Sequence, residues 1–271
     1  ATKVLCIIRA AVHWGLEREL IPSTPIAFLK PPPVLVAYER ELQQGRHHHP
    51  AILDLPTLGR ILRKNESSDA SLSVKRAHRF IGYTLQRPIN IVNAAWNHFS
   101  SDLTVWSIPG EQMKGYSRIT EDLKGKAPPP HEVPLPTQMT VMLRGMQRRP
   151  GGWLFPNPDD VSSPITVESL EKHLREVLEL RDEHRPHSWR AAGVTWGDDQ
   201  NKAALRKFEK DSMDMVLSHK VMSLADEAYY RTENLERKRH FLQAWADALE
   251  SAEREATEHA PRHCSRPAEF E

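Results

Sequence analysis

The stretch Leu103-Thr104-Val105-Trp106-Ser107-Ile108 breaks the pattern of everything around it. It is short, rich in branched and aromatic residues, and alternates with a period of two, as a half-buried strand does. His131-Glu132-Val133-Pro134-Leu135 is read as its partner strand. The residues between them, 114–130, form a polar loop rich in Lys, Gly and Pro. After 136 the period is helical, over 136–148, 166–180, 187–196, 202–218, 223–230 and 234–250. Before the strand, helices are expected at 73–86 and at 89–98, the latter ending at Trp96. Another is expected to open at Asp54-Leu55-Pro56, with Leu58, Ile61 and Leu62 on one face. The fold class that follows is mainly α with one small antiparallel β-sheet, an α+β chain.

Residues 3–21 read as an amphipathic helix stopped by Ile21-Pro22-Ser23-Thr24-Pro25. The Pro-rich stretch 30–50, with a short helix at 35–43, reads as a linker, so a boundary is expected near residue 50. The polar tail 251–271 is expected to be disordered. The chain has 271 residues, of which 39% are hydrophobic, enough to bury a core. No run approaches the roughly 20 apolar residues of a membrane helix. Cys6 and Cys264, the two cysteines, exclude a disulfide framework and a cysteine-rich zinc site. The absent initiator Met suggests a start inside a longer protein. Net charge is +1, but residues 250–271 hold six Glu and three Arg, leaving the rest at +4. That is compatible with phosphate contacts without announcing them.

Three local features carry chemistry. Arg87 stands in Thr84-Leu85-Gln86-Arg87-Pro88, followed by Ala94-Ala95-Trp96. His187 and Arg190, in His187-Ser188-Trp189-Arg190 after Pro186, are three apart at a helix entrance and share a face. Leu217-Ser218-His219 is followed ten residues later by Tyr229 and then Arg231. A guanidinium offers a planar fork of donors to phosphate oxygens and stays charged, and a second Arg completes a clamp. Taken alone, Arg190 reads as a salt-bridged surface residue and His187 as a helix cap.

In combination and in this order, these features resemble the tyrosine recombinases, the phage-type integrases. Arg87-Pro88 through Ala95-Trp96 is similar to their first-arginine motif in prophage and genomic-island integrases. Trp106-Ser107-Ile108-Pro109 through Met113-Lys114 resembles the strand carrying their catalytic lysine. His131-Glu132-Val133-Pro134-Leu135 resembles the next strand and Trp153-Leu154-Phe155-Pro156 a later one. His187-Ser188-Trp189-Arg190-Ala191 through Thr195-Trp196 is similar to the second-arginine helix. Leu217-Ser218-His219-Lys220 through Ala228-Tyr229-Tyr230-Arg231, with Leu235-Glu236 and Trp245-Ala246, closes the pattern. The resemblance covers residues 50–250.

It implies a catalytic domain at 51–250, preceded at 1–50 by the last part of a helical core-binding domain. It implies a site-specific recombinase that cuts and rejoins DNA through a 3′-phosphotyrosine, for integration or excision of a prophage or genomic island. Tyr229 would be the nucleophile. Arg87 and Arg190 would hold the non-bridging oxygens, Lys114 would protonate the leaving 5′-oxygen, His187 would be the acid–base partner, and His219 would bond a phosphate oxygen. Neither metal nor cofactor is implied. The implied partner is double-stranded attachment-site DNA, bound as a tetramer by a chain that is monomeric in solution, with accessory DNA-bending or directionality proteins. The implied location is the bacterial cytoplasm, at the nucleoid. A type IB topoisomerase shares the chemistry, and a catalytically inactive DNA-binding relic would share the fold.

The chain departs from the family at two places. Ile89 and Asn90 stand where a Gly-Glu pair often follows the first arginine, so a local acidic brace for Arg87 is missing. The loop after Lys114 is long, which makes Lys124 and Lys126 rival acids. Tyr230 points about 100° away from Tyr229 on a helix and is read as packing. Trp96 and Trp196 are expected in the core. His47-His48-His49, His259, His263 and Cys264 are read as solvated segments rather than metal ligands.

Overall fold

The computed structural model describes residues 2–22, 50–113, 129–149, 151–203, 207–218 and 231–258. Its contacts divide the chain into two compact units, 1–48 and 49–271. In the first, helix α1 spans Thr2–Glu17. It ends where Glu19 takes a positive φ of 55° and the Leu20 N–H returns 2.9 Å to the Gly15 carbonyl. The expected linker helix at 35–43 lies outside the described residues.

The second unit is a helical shell around a two-stranded ribbon. Its helices are α2 (Leu55–Ser67), α3 (Leu72–Thr84), α4 (Pro88–Val92), α5 (Thr137–Arg144), α6 (Val167–Lys172), α7 (Ser188–Ala203), α8 (Lys210–Val216) and α9 (Arg231–Glu258). Several starts are capped by residues that favour that place: Asp54 accepts from Thr57 N–H at 3.0 Å, and Thr166 accepts from Ser169 N–H at 3.1 Å. Strands β1 (Val105–Ile108) and β2 (His131–Pro134) pair antiparallel, with Ile108 opposite His131. Trp106 and Ile108 point into the core and Val105 and Ser107 face partly outward, the alternation expected of the stretch. Phe80 and Phe99 pack on Trp106, Phe99 stacked at 5.9 Å between centroids, and Phe155 meets Phe80 edge-on. Trp96 and Trp196 are buried, as expected.

Three expected helices differ in the structure. The helix at 89–98 is cut to α4 because the chain after Val92 bonds sideways. Ala94 O accepts from Leu154 N–H, and Trp96 N–H donates to Gly152 O, around an Ala95–Trp153 bridge. A separate 3-10 turn follows at Trp96–His98. The stretch 166–180 leaves α geometry after Lys172 for a π turn, His173–Val177, which buries both His173 and Leu174. The stretch 202–218 is divided: α7 runs on to Ala203, Asn201 Oδ1 accepts from Phe208 N–H at 2.6 Å, and α8 begins afresh at Lys210.

The expected polar tail is corrected as well: α9 continues through Glu258 before the described residues end. Its extra turns are held by packing. Glu253 takes both guanidinium nitrogens of Arg79 from α3, and Thr257 accepts from Arg63 of α2. Further back, Trp245 Nε1 donates to Gly82 O at 2.8 Å. The closest approach is at Gly59 of α2, where a Cβ would overlap the backbone carbonyl of Ala252. Neither helix can yield without losing its own ladder. Gly59→Ala is therefore expected to cost at least about 2 kcal/mol, the scale of a forced overpacking. Gly145→Ala, whose Cβ would sit 3.5 Å from Met142 O, is expected to stay within about 0.5 kcal/mol. Urea unfolding of both variants checks this, and equal midpoints would contradict the close helix contact.

Candidate functional site

Helix α3 ends with Leu85 at a φ of 57°, its N–H returning to Ile81 O. Arg87 follows in extended conformation, φ −66° and ψ 142°, because a residue before proline is driven out of the helical region. Pro88 then opens α4. Arg87 thus stands, partly buried, in a short bend between two helices.

Arg190 comes to the same bend from α7. That helix is seated by its neighbours: Trp189 is fully buried, close to Gly82 and edge-on to His78 and His184. The Ser188 hydroxyl donates to Pro50 O at 2.9 Å. Gly193, one turn on, permits contact with Leu85, whose Cδ1 a Cβ at 193 would overlap. The close packing brings the Arg190 guanidinium to the backbone. Nη1 donates to Leu85 O and Nη2 to Leu217 O, both at 2.7 Å. The side chain is 4% exposed. Among the described residues, neither Arg87 nor Arg190 has a carboxylate partner.

Burial, and then the charge of Arg87 beside it, pushes the Arg190 proton affinity down to about 9, still a cation at neutral pH. Arg87 is lowered by burial alone. His131, at the start of β2, joins them. Burial first, then the charges of Lys238, Arg190 and Arg87, holds it down at about 3, against the upward pull of its bond to Val216 O. Lys238 of α9 donates to Glu132 O. Four basic side chains from four separated segments of sequence thus meet at one place, where the Leu85 and Leu217 carbonyls hold Arg190.

Of the residues expected at the site, the structure brings Arg87 and Arg190 together. His187 is exposed immediately before α7, its carbonyl accepting from Arg190 N–H at 3.2 Å. Lys114, His219 and Tyr229, with the rivals Lys124 and Lys126 and the neighbouring Tyr230, lie outside the described residues. So do His47-His48-His49, His259, His263 and Cys264. His131, Gln86 and Lys238 were not recognised from the sequence. His131 was matched only as part of a strand motif, and a strand residue shows its partners only once the helices are packed over it.

No family model matches the chain. Prophage integrase IntA of Escherichia coli K12 is 23% identical over 198 residues, 72% of this chain and 43% of that protein. The integrase of Enterobacteria phage P4 is 27% identical over 176 residues, 62% of this chain and 38% of that protein. In sequence the chain is similar to these phage-type integrases. It spans less than half the length of these two. A solved XerA recombinase structure covers 91% of this integrase-like chain and 72% of its own, at 16% identity and a TM-score of 0.42, a superposition too loose to argue from. Among the described residues no helix is long and apolar enough to cross a membrane, and no group of three or more His, Cys, Asp or Glu could hold a metal ion.

Behind Trp189 lies a set of buried imidazoles. His78 is held well below its usual range by burial and by its neighbours His173 and His184; burial holds His173 and His184 at about 4. His173 bonds Asn65 Oδ1 at 2.7 Å, and His184 Nδ1 accepts from Ile52 N–H at 3.3 Å. These rings are neutral in the fold, whereas the unfolded chain takes up their protons near pH 6.5. Their effect on stability is nil above about pH 6.5 and becomes destabilising as the pH falls toward about 4. Urea unfolding between pH 7 and 5 is expected to show a steep loss. In His184→Gln the slope is expected to fall by about 1.4 kcal/mol per pH unit, one proton's worth. An unchanged slope would show that His184 is not held neutral.

Proposed function

We propose that this chain is the catalytic part of a site-specific DNA recombinase, acting at the bacterial chromosome in the cytoplasm. It would break and rejoin strands through a phosphotyrosine at Tyr229. One observation carries the reading: Arg87 and Arg190 share a part-buried place with no carboxylate among the described residues. Buried cations normally have an anionic partner, and one left without is costly. A phosphodiester supplies that partner from outside. The integrase relatives and the ordered motifs support the same chemistry.

In this reaction the Tyr229 phenol oxygen attacks the scissile phosphorus and its proton passes to His187. The P–O5′ bond breaks, and the departing 5′-oxygen takes a proton from Lys114. Arg87 and Arg190 hold the two non-bridging oxygens, where negative charge grows in the transition state. His219 donates to one of them. The phosphotyrosine keeps the energy of the broken ester, so a second 5′-hydroxyl reseals the strand by the reverse path. With this many cationic donors no step calls for a metal. The four active centres of a recombination event come from a tetramer assembled on two DNA sites by a chain that is monomeric in solution. Accessory DNA-bending proteins are its expected partners.

The test is a nicked suicide duplex spanning an attachment site, with covalent adducts read on a denaturing gel. Tyr229→Phe is expected to abolish the adduct while leaving DNA binding intact, because affinity rests mainly on basic contacts to phosphates. Tyr230→Phe should cleave normally, and a chelator should change nothing. Arg190→Ala should cut the cleavage rate by about 100-fold or more. An adduct formed by Tyr229→Phe but lost in Tyr230→Phe would move the nucleophile by one residue. Metal-dependent cleavage by both would sink the mechanism.

A further inference from the structure

Helix α8 ends in an unusual way. The last carbonyls of a helix have no partner within it and are commonly met by water or a glycine turn. Here two of them are taken by side chains distant in sequence. Val216 O accepts from Gln86 Nε2 at 2.8 Å and bonds His131 Nε2 at 3.3 Å, over separations of 130 and 85 residues. Leu217 O accepts from Arg190 Nη2. Ser218 then turns the chain at a φ of 54°, a left-handed conformation for a residue that is not glycine.

His131 stands at a junction. It is paired with Ile108 at the loop end of the ribbon, where β1 leads into the segment bearing Lys114. A bond to a carbonyl requires that Nε2 carry the proton. Burial, and then the charges of Lys238, Arg190 and Arg87, keep the ring neutral, so it holds the carbonyl without adding another cation to the site. Gln86 is fully buried behind it, and its second bond, to Thr84 O at 2.9 Å, fixes its amide in the bend that carries Arg87.

We infer that His131, backed by Gln86, is a positioning residue of the phosphate site. By fixing the Val216 carbonyl it ties the loop end of the ribbon to the end of α8. It thereby holds the point, after Ser218, at which the segment bearing His219 and Tyr229 begins. This rests on the recombinase reading of that site. His131 does not touch the reacting atoms; its effect is on alignment. A displacement of about 1 Å in a catalytic group can cost about 100-fold in rate.

Three proteins decide it: the wild type, His131→Leu, which removes the donor, and His131→Gln, whose amide N–H can reach the same carbonyl. On the nicked suicide duplex at saturating concentration, His131→Leu is expected to slow adduct formation about 10- to 100-fold with DNA affinity within about twofold. His131→Gln is expected to recover most of the rate. In amide hydrogen exchange without DNA, Leu217 and Ser218 should exchange faster in His131→Leu, while Phe241–Leu249 of α9 stays as protected as in the wild type. Wild-type rates in His131→Leu would overturn the inference. So would a loss of protection throughout α9 in both variants, which would make His131 a residue of general stability. If the wild type forms no adduct, the recombinase reading fails by itself. The exchange arm then still reads the link from His131 to the end of α8, and unchanged exchange at Leu217 and Ser218 would overturn that too.

Discussion

The Arg190 guanidinium, buried and bonded to the carbonyls of Leu85 and Leu217, is the contact on which the arrangement of the site depends. It joins three segments distant in sequence: the bend after α3, the first turn of α7 and the end of α8. Each bond to a charged donor is worth about 1.5–3 kcal/mol, and leaving either carbonyl unmet would cost a similar amount. The contact works only because α7 lies close against Leu85. That closeness needs a glycine at 193 and a flat indole, Trp189, seated against Gly82. A small residue on one helix and a large one a turn earlier thus decide where the charge ends up.

The long helix α9 acts on the same bend from the other side. Trp245 bonds the carbonyl of Gly82, and Glu253 clamps Arg79, so α3 is gripped at two levels by one helix. Lys238, two turns before Trp245, reaches Glu132 and thereby β2. Through α9 the ribbon and the arginine bend are held to one rigid element. This explains why the helix persists beyond residue 250, where composition alone suggested an unstructured tail. The polar groups of the last turns are not merely solvated: Arg79 pairs with Glu253, and Arg63 donates to the Thr257 hydroxyl.

Much of this was legible in the residues. The ribbon showed in the alternation around Trp106, since Trp and Ile on one face need a core to face. The helix starts showed at Asp54 and at Pro186, where caps and prolines act locally. The pairing of Arg87 with Arg190 was legible only through the order of motifs, for nothing in either stretch points to the other. The break after Val92 was not legible: Asn93, Ala94 and Ala95 are compatible with a helix, and it is the backbone of Gly152 and Leu154 that draws them out of it. His131 and Gln86 were invisible for a related reason. Their partner is a main-chain carbonyl, which every residue possesses, so no side-chain chemistry at Val216 marks it in advance.

The missing acidic brace of Arg87 also finds a physical account here. A carboxylate beside the two arginines would neutralise them and would repel any phosphate that approached. Backbone carbonyls behave differently: they satisfy the N–H groups and fix the guanidinium plane, yet carry no net charge. Arg190 spends two of its five donors on carbonyls. Its charge is left intact, and Arg87 beside it raises the local potential further. The neutrality of His131 fits the same logic, because a fourth permanent cation beside Arg87, Arg190 and Lys238 would add repulsion without adding a needed donor. Among the described residues the two arginines are therefore held in place by dipoles and not balanced by a carboxylate, and that imbalance is what an anion would relieve on binding.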